Sequence, residues 1–339
     1  MSKQKRTPHS EFFVNVIGRR ENALDLIKQV LPEGIQRHLV LDSLDIEKGS
    51  YVDEKLHDHF SDLIFSVKLK NGRVGRIYCL LEHKSAPEYL VALQLLRYMA
   101  LEWNEMLKQE KIYGNRLPPI IPIVVYQGDD DWPVSQEFQT VVDFPSDDFK
   151  AYVPNFQYAL WNLVDIDEQK LQESLALKYY VQICKALNSP KLPDYVFDLV
   201  EAFIKTLDSK TATEYIEIFF SYLARSSGRV SKETFEKALK RLPEGGGEKI
   251  MSTLAEQWMR EGELRGEQRG VQKGKLERTQ EMFISAIQNK FGVIKPTLAG
   301  KISSIQSTES LDGLFSQVFK VDDKKEFVSL VDEVLSRQE

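Results

Sequence analysis

The run Ile120-Ile121-Pro122-Ile123-Val124-Val125-Tyr126 constrains the fold of this chain more than any other stretch. Seven residues with no charge and no polar alternation make a stable strand only when both faces are covered. Such a strand belongs in an α/β sheet flanked by helices, and the neighbouring patterns agree. Glu88 to Gln109 reads as a long helix with a broad apolar face. Before it, Phe60 to Leu69 and Arg76 to Glu82 are rich in Val, Ile, Leu, Phe and Tyr. These arms are joined across Asn71-Gly72, a hairpin dipeptide because both residues tolerate left-handed backbone angles. Leu39 to Ile46 is a candidate first strand and Phe156 to Leu163 a candidate last one. Ser10 to Leu31 is helical in pattern, with Phe12, Phe13, Val16, Ile17, Leu24, Ile27 and Val30 apolar. The expected order is helix, three meandering strands, helix, strand, the last reached by a right-handed crossover. Pro122 has no amide hydrogen and argues against a central, fully bonded position.

Beyond about residue 165 the pattern changes to helix after helix, with Leu171 to Leu187, Tyr195 to Leu207 and Tyr215 to Leu223 as three of them. Pro243-Glu244-Gly245-Gly246-Gly247 reads as a linker. Then Gly262, Gly266, Gly270 and Gly274 recur every four residues among Glu, Arg, Gln and Lys. On a helix they form one stripe, either a solvated, marginal segment or a close contact between two helices. Met282 to Phe291 and Leu311 to Leu335 close the chain as helices. The domain expectation is therefore 1–165, 166–242 and 243–339.

Composition excludes several classes. With 42% apolar and 28% charged residues the chain is globular rather than disordered. No window approaches the ~20 apolar residues that span a bilayer, and no apolar signal-peptide core follows the polar start. Cys79 and Cys184 lie far apart in apolar contexts, which suits reduced core residues of a cytoplasmic protein and excludes a zinc ribbon. A net charge of -6 argues against coating nucleic acid by bulk charge, but leaves room for a local basic groove.

The chemistry concentrates at the hairpin. With a three-residue loop at Asn71 to Arg73, Asp62 stands directly opposite Glu82, and Lys84 shares that face by the two-residue period. A two-residue loop would move Glu82 to the other face, so the inference depends on one unit of register. Two adjacent carboxylates repel, and a divalent cation is the simplest means of keeping both ionised. Hard oxygen ligands suit Mg²⁺, with Mn²⁺ or Ca²⁺ as alternatives, better than zinc. The same residues would also make an ordinary polar strand end with an ion pair between neighbours.

Asp62 followed by Glu82-x-Lys84 on a hairpin partner resembles the PD-(D/E)xK nuclease superfamily, as does the element order. The resemblance implies a restriction-endonuclease-like α/β core, a mixed sheet flanked by helices, followed here by an all-α C-terminal region. It also implies that Asp62, Glu82 and the His83 backbone carbonyl hold the metal ion while Lys84 assists the attacking water. Gln94-Leu95-Leu96-Arg97-Tyr98 fits the Gln-x-x-x-Tyr motif of the RecB-like branch, which adds Gln94 and Tyr98 to the site. Those two side chains share a helix face, though a core-facing role suits Tyr98 equally. Arg97 beside them is placed to reach a DNA phosphate.

Further motifs narrow the resemblance: Thr7-Pro8-His9-Ser10-Glu11-Phe12-Phe13, Ser61-Asp62-Leu63-Ile64-Phe65, and Leu117-Pro118 through Tyr126-Gln127-Gly128 to Trp132. In order over residues 7 to 165 these are similar to the Rpn family of recombination-promoting nucleases, also labelled transposases of the YhgA-like type. That family usually carries Asp after the early His. Ser10 stands there in this chain, so Glu11 substitutes as a metal ligand or the site has one ligand fewer. The implied activity is Mg²⁺-dependent DNA endonucleolysis that promotes recombination or mobile-element transfer. Separately, a double-strand break needs two such sites or two visits, and the glycine stripe is the natural place for the two-fold contact of a homodimer. The alternative is an inactive nuclease-fold module that binds DNA or protein. No Gly-x-Ser-x-Gly elbow or P-loop occurs, and His57, His59 and Asp129-Asp130-Asp131 read as solvated loop residues.

Overall fold

The computed structural model describes residues 7–46, 62–82, 88–109, 116–128, 131–171, 173–242, 246–318, 320–321 and 323–336, with the backbone alone at positions 62, 79–82, 170, 261, 264, 265, 268 and 308. The chain divides into two compact units, Met1–Ala255 and Glu256–Glu339.

The first unit opens with α1 (Pro8–Ile17), started by Thr7, whose side chain accepts from the Ser10 amide at 3.2 Å, with Pro8 in the first turn. The single helix expected over Ser10 to Leu31 is two. Gly18 ends α1, Arg19 is extended, and α2 runs Arg20–Val30. Buried Asn22 makes the break tenable: its amide donates to the Val16 carbonyl at 2.7 Å and to the Tyr215 hydroxyl at 2.9 Å. After a single turn α3 (Glu33–Gln36) come β1 (Leu39–Ile46), β2 (Asp62–Leu69) and β3 (Val74–Glu82), an antiparallel meander. Helix α4 (Val91–Lys108) crosses to β4 (Ile120–Tyr126), parallel to β3, and β5 (Ala159–Asn162) adds a parallel edge. Among the described residues this is one five-stranded mixed sheet in the order β1-β2-β3-β4-β5.

Contrary to the expectation from Pro122, β4 is an interior strand. The reason is the shortness of β5, whose pairing with β4 begins only at Ile123. Position 122 therefore has a strand neighbour, Tyr78, on one side only.

Both faces of the sheet are covered. Odd-numbered residues Leu63, Phe65, Val67, Ile77, Ile123, Val125 and Trp161 are buried under α1, α2 and α5 (Leu175–Ala186). Trp161 lies parallel to Tyr180 at 6.2 Å, and Tyr180 meets Phe12 at 5.0 Å. Even-numbered Ile64, Tyr78, Ile120 and Val124 pack against Val91, Ala92, Leu95, Tyr98 and Met99 of α4. This helix–sheet–helix layering, followed by helices, is the α/β architecture of a PD-(D/E)xK-like fold.

Helices α6 (Leu192–Thr206), α7 (Ser209–Ser226) and α8 (Lys232–Leu239) complete the first unit, with α7 against α1. Residues 166–242 thus pack with 1–165 rather than apart from them. Of the expected linker, Pro243–Gly245 lies outside the described residues, and Gly246 and Gly247 begin α9 (Gly246–Phe291).

In the second unit the C-terminal turns of α9 pack with α10 (Pro296–Ser303), α11 (Thr308–Val318) and α12 (Lys324–Ser336) around Phe283, Ile287, Ile302, Leu311 and Phe327. Buried Gln280 donates to the carbonyls of Ser303 and Ile305 at 3.0 and 2.9 Å, closing the end of α10. No described helix is long and apolar enough to cross a membrane.

Candidate active site

The β2–β3 turn sets the geometry. Leu69 donates to the Arg73 carbonyl at 2.7 Å, Gly72 donates to Leu69 at 2.9 Å, and the Arg73 amide bonds Asn71 Oδ1 at 3.0 Å. Gly72 takes the left-handed conformation, φ 80°, that a three-residue hairpin loop requires. The loop is therefore Lys70 to Gly72, one residue earlier than the Asn71 to Arg73 of the sequence reading. Asp62 consequently pairs with Leu80, not with Glu82. The correction moves the register by two positions, which preserves parity. Positions 62, 80 and 82 remain on the even-numbered series, and Glu82 lies one step beyond the pair, beside Tyr126 of β4. Lys84 and His83 lie outside the described residues, as do His57, His59, Asp129 and Asp130.

The even-numbered series is also the one that α4 covers, so Gln94 and Tyr98 belong to the same layer as positions 62 and 82. Gln94 is half-buried; its Oε1 is buried and has no hydrogen-bond partner among the described residues. Tyr98 is buried and stacks on Tyr78 at 5.2 Å. Its core contacts make it the fastening of α4 to β3. Arg97, one residue before, is exposed. Glu11 lies on α1, in the layer over the odd-numbered face, and its carboxylate is ion-paired with the Arg225 guanidinium of α7. His9 Nδ1 meets the Tyr222 hydroxyl at 2.8 Å. Among the described residues no three His, Cys, Asp or Glu side chains gather as a metal site.

Two residues have roles that the sequence reading does not give them. Arg76, 4% exposed on the face under α4, bonds Glu102 of that helix at 3.2 Å. Buried Arg is rare unless paired, and the pair ties β3 to α4 one strand repeat from Tyr78. The signal was available as an Arg inside an apolar strand, but its partner is twenty-six residues away. The second is Gly128. A Cβ there would overlap the Tyr126 hydroxyl and ring, and Tyr126 is fully buried with its ring edge-on to Trp132 at 4.8 Å. Trp132 Nε1 donates to the Tyr158 hydroxyl at 3.1 Å, which donates to the Ser135 carbonyl. The Tyr126-Gln127-Gly128 and Trp132 motif is thus a packing unit at the C-terminal ends of β4 and β5, beside position 82.

Several known proteins resemble this chain over most of its length. Over 268 residues, 78% of this chain and 86% of the relative, the chain is 28% identical to the inactive recombination-promoting nuclease-like protein RpnE of Escherichia coli K12. It is 26% identical to recombination-promoting nuclease RpnC of that strain, over 77% of this chain and 83% of the relative. Recombination-promoting nuclease RpnA, again of K12, is 28% identical over 77% and 86%. No solved structure matches the chain. The family model described as "Putative transposase, YhgA-like" matches residues 7–215, and the chain belongs to that family.

Proposed function

We propose that this chain is a metal-dependent DNA endonuclease of the cytoplasm that hydrolyses phosphodiester bonds in recombination or mobile-element transfer. The observation that carries the reading is the β2–β3 register, which gives positions 62 and 82 one parity on the side of α4. Diagonal neighbours in a sheet lie about 7–8 Å apart, a span that an Asp and a Glu side chain can close around one ion. Two carboxylates at that spacing favour a hard cation, Mg²⁺ first and Mn²⁺ or Ca²⁺ next. Asp62, Glu82 and the His83 carbonyl would hold it; Glu11, ion-paired with Arg225 in the layer over the opposite face, is left out. When bound, the ion supplies Lewis-acid polarisation of a phosphoryl oxygen and acidifies water.

The chain's own residues do the rest. Lys84 orients the attacking water and offsets the negative charge that grows on the phosphoryl oxygens. The Gln94 Oε1 acceptor, without a partner among the described residues, takes a hydrogen bond from the Lys84 ammonium or that water. Tyr98 holds α4 in place, and exposed Arg97 binds a flanking phosphate. The relatives named as nucleases support this reading.

One relative is named inactive, which favours a second reading: a nuclease-fold module that binds DNA or protein without cutting. Incubation of the purified protein with plasmid DNA, in Mg²⁺ or in chelator, separates the two. Nicking in Mg²⁺ that Glu82→Ala abolishes supports the nuclease; undiminished nicking by Glu82→Ala protein sinks the site assignment.

For assembly the same reading takes the chain as a homodimer, because one such site cuts one strand at a time. The exposed Gly262, Gly266, Gly270 and Gly274, each with open space where a Cβ would stand, provide a surface for close backbone approach.

A further inference from the structure

Lysines gather in the second unit at places where its own helices disfavour them. Lys295 is the N-cap of α10 and offers no side-chain oxygen to that helix's free amides. Lys324 and Lys325 are the first two residues of α12. A helix N-terminus carries about half a positive charge, so a cation placed there is repelled and an anion held. These three lysines, with Lys301, surround a cleft of about 580 Å³ whose apolar lining includes Leu298 and Val328.

The local acids neutralise the cluster only in part. Lys301 is ion-paired with Asp332, and the Lys324 ammonium donates to the Val293 carbonyl at 2.8 Å. Asp323 accepts from the Lys325 amide at 3.1 Å and so caps α12. The ammonium groups of Lys295 and Lys325 have no partner among the described residues. Four lysines and two helix N-termini thus meet at a concavity in which Asp323 is the one acid among the described lining residues. Packing explains neither Lys295 nor Lys325, since the core of this unit is made by Phe283, Ile302, Leu311 and Phe327. Breaches of local helix chemistry with no structural return are expected at functional surfaces.

We propose that this cleft binds the phosphate backbone of DNA, with the lysines on the phosphates and Leu298 and Val328 beneath the sugar. The choice of DNA among polyanions rests on the nuclease reading above. The cleft would give a chain of net charge -6 the local positive field that a polyanion needs.

The test uses the full chain in chelator, where no cleavage occurs, with a short fluorescein-labelled duplex followed by anisotropy at several salt concentrations. Lys295→Gln with Lys325→Gln is expected to weaken binding about tenfold and to make the salt slope shallower by about two, and each single variant by about one. Arg at both positions should restore both values, and the melting temperature should not change. Unchanged affinity and salt slope in the double variant overturn the proposal. So does a lysine-dependent interaction with polyglutamate or with phosphatidylglycerol vesicles while duplex binding stays the same. Wild-type protein that binds duplex through these lysines yet never cuts would refute the nuclease reading and leave the cleft intact.

Discussion

Tyr98 of α4 lies over Tyr78 of β3 with ring centroids 5.2 Å apart and ring planes 23° apart. The stack holds the helix carrying Gln94 against the strand carrying position 82. Tyr98→Ala should cost about 3–5 kcal/mol of stability, the usual range for deleting a buried aromatic ring. Tyr98→Phe keeps the stack and should stay within about 1.5 kcal/mol of wild type. Urea denaturation checks both. If Tyr98→Phe is stable but does not cleave, the hydroxyl has a chemical role beyond packing.

Arg76 and Glu102 form the buried pair of the same interface, 4% and 12% exposed. Glu102→Ala removes this carboxylate from a buried guanidinium and should cost about 3–5 kcal/mol, whereas Arg76→Met with Glu102→Leu should be close to neutral. A Glu102→Ala protein as stable as wild type would show that the pair contributes little.

The proposed metal site makes a prediction that needs no cleavage. Asp62→Asn removes one of two repelling carboxylates, so without metal its melting temperature should equal or exceed that of wild type. Millimolar Mg²⁺ should raise the wild-type melting temperature by mass action and leave Asp62→Asn unmoved. Equal shifts in both proteins would place the ion elsewhere.

Alkaline stability follows from Cys184 on α5. Burial pushes its thiol from an ordinary 9.0 up to about 12, against hydrogen bonds with Gln127, Tyr222 and Tyr180. A raised folded-state value means that the unfolded chain loses the proton first. The stabilisation is complete below about pH 9 and fades as pH rises toward 12. Tyr215, pushed up to about 12 by burial and then by the Glu21 carboxylate, acts with the same sign from 10.0 upward. Each group should add a slope of about 1.4 kcal/mol per pH unit in that window. Urea midpoints measured from pH 8 to 11 should fall, and Cys184→Ala should flatten the first part of the fall. A rise above pH 9 would contradict the assignment.

The glycine stripe of α9 can be tested by opposite effects. As an open surface, Gly266→Ala and Gly270→Ala should each stabilise the helix by about 1 kcal/mol. As a dimer contact, Gly266→Leu with Gly270→Leu should halve the mass seen by light scattering. A monomer before and after substitution ends the homodimer reading.

Local periodicity encodes several of the elements. Leu39–Ile46 and Ile120–Tyr126 are strands with the bounds that their patterns indicate, and the α/β order follows from one uncharged strand that needs two covered faces. Side chains alternate with a period of two, so the sequence limited the hairpin to two parities, and the three-residue loop of the folded hairpin chose between them. Tertiary structure decided what local pattern leaves open. The exact partner of Asp62 depends on which three residues form the loop, and the Asn71 and Gly72 hydrogen bonds settle that only in the folded hairpin. The break at Gly18 depends on Asn22 reaching Tyr215 on α7. Pro122 is tolerated inside the sheet because β5 starts pairing one residue later. Each of these rests on a partner distant in sequence or on a backbone bond made at closure, which hydrophobic periodicity does not encode.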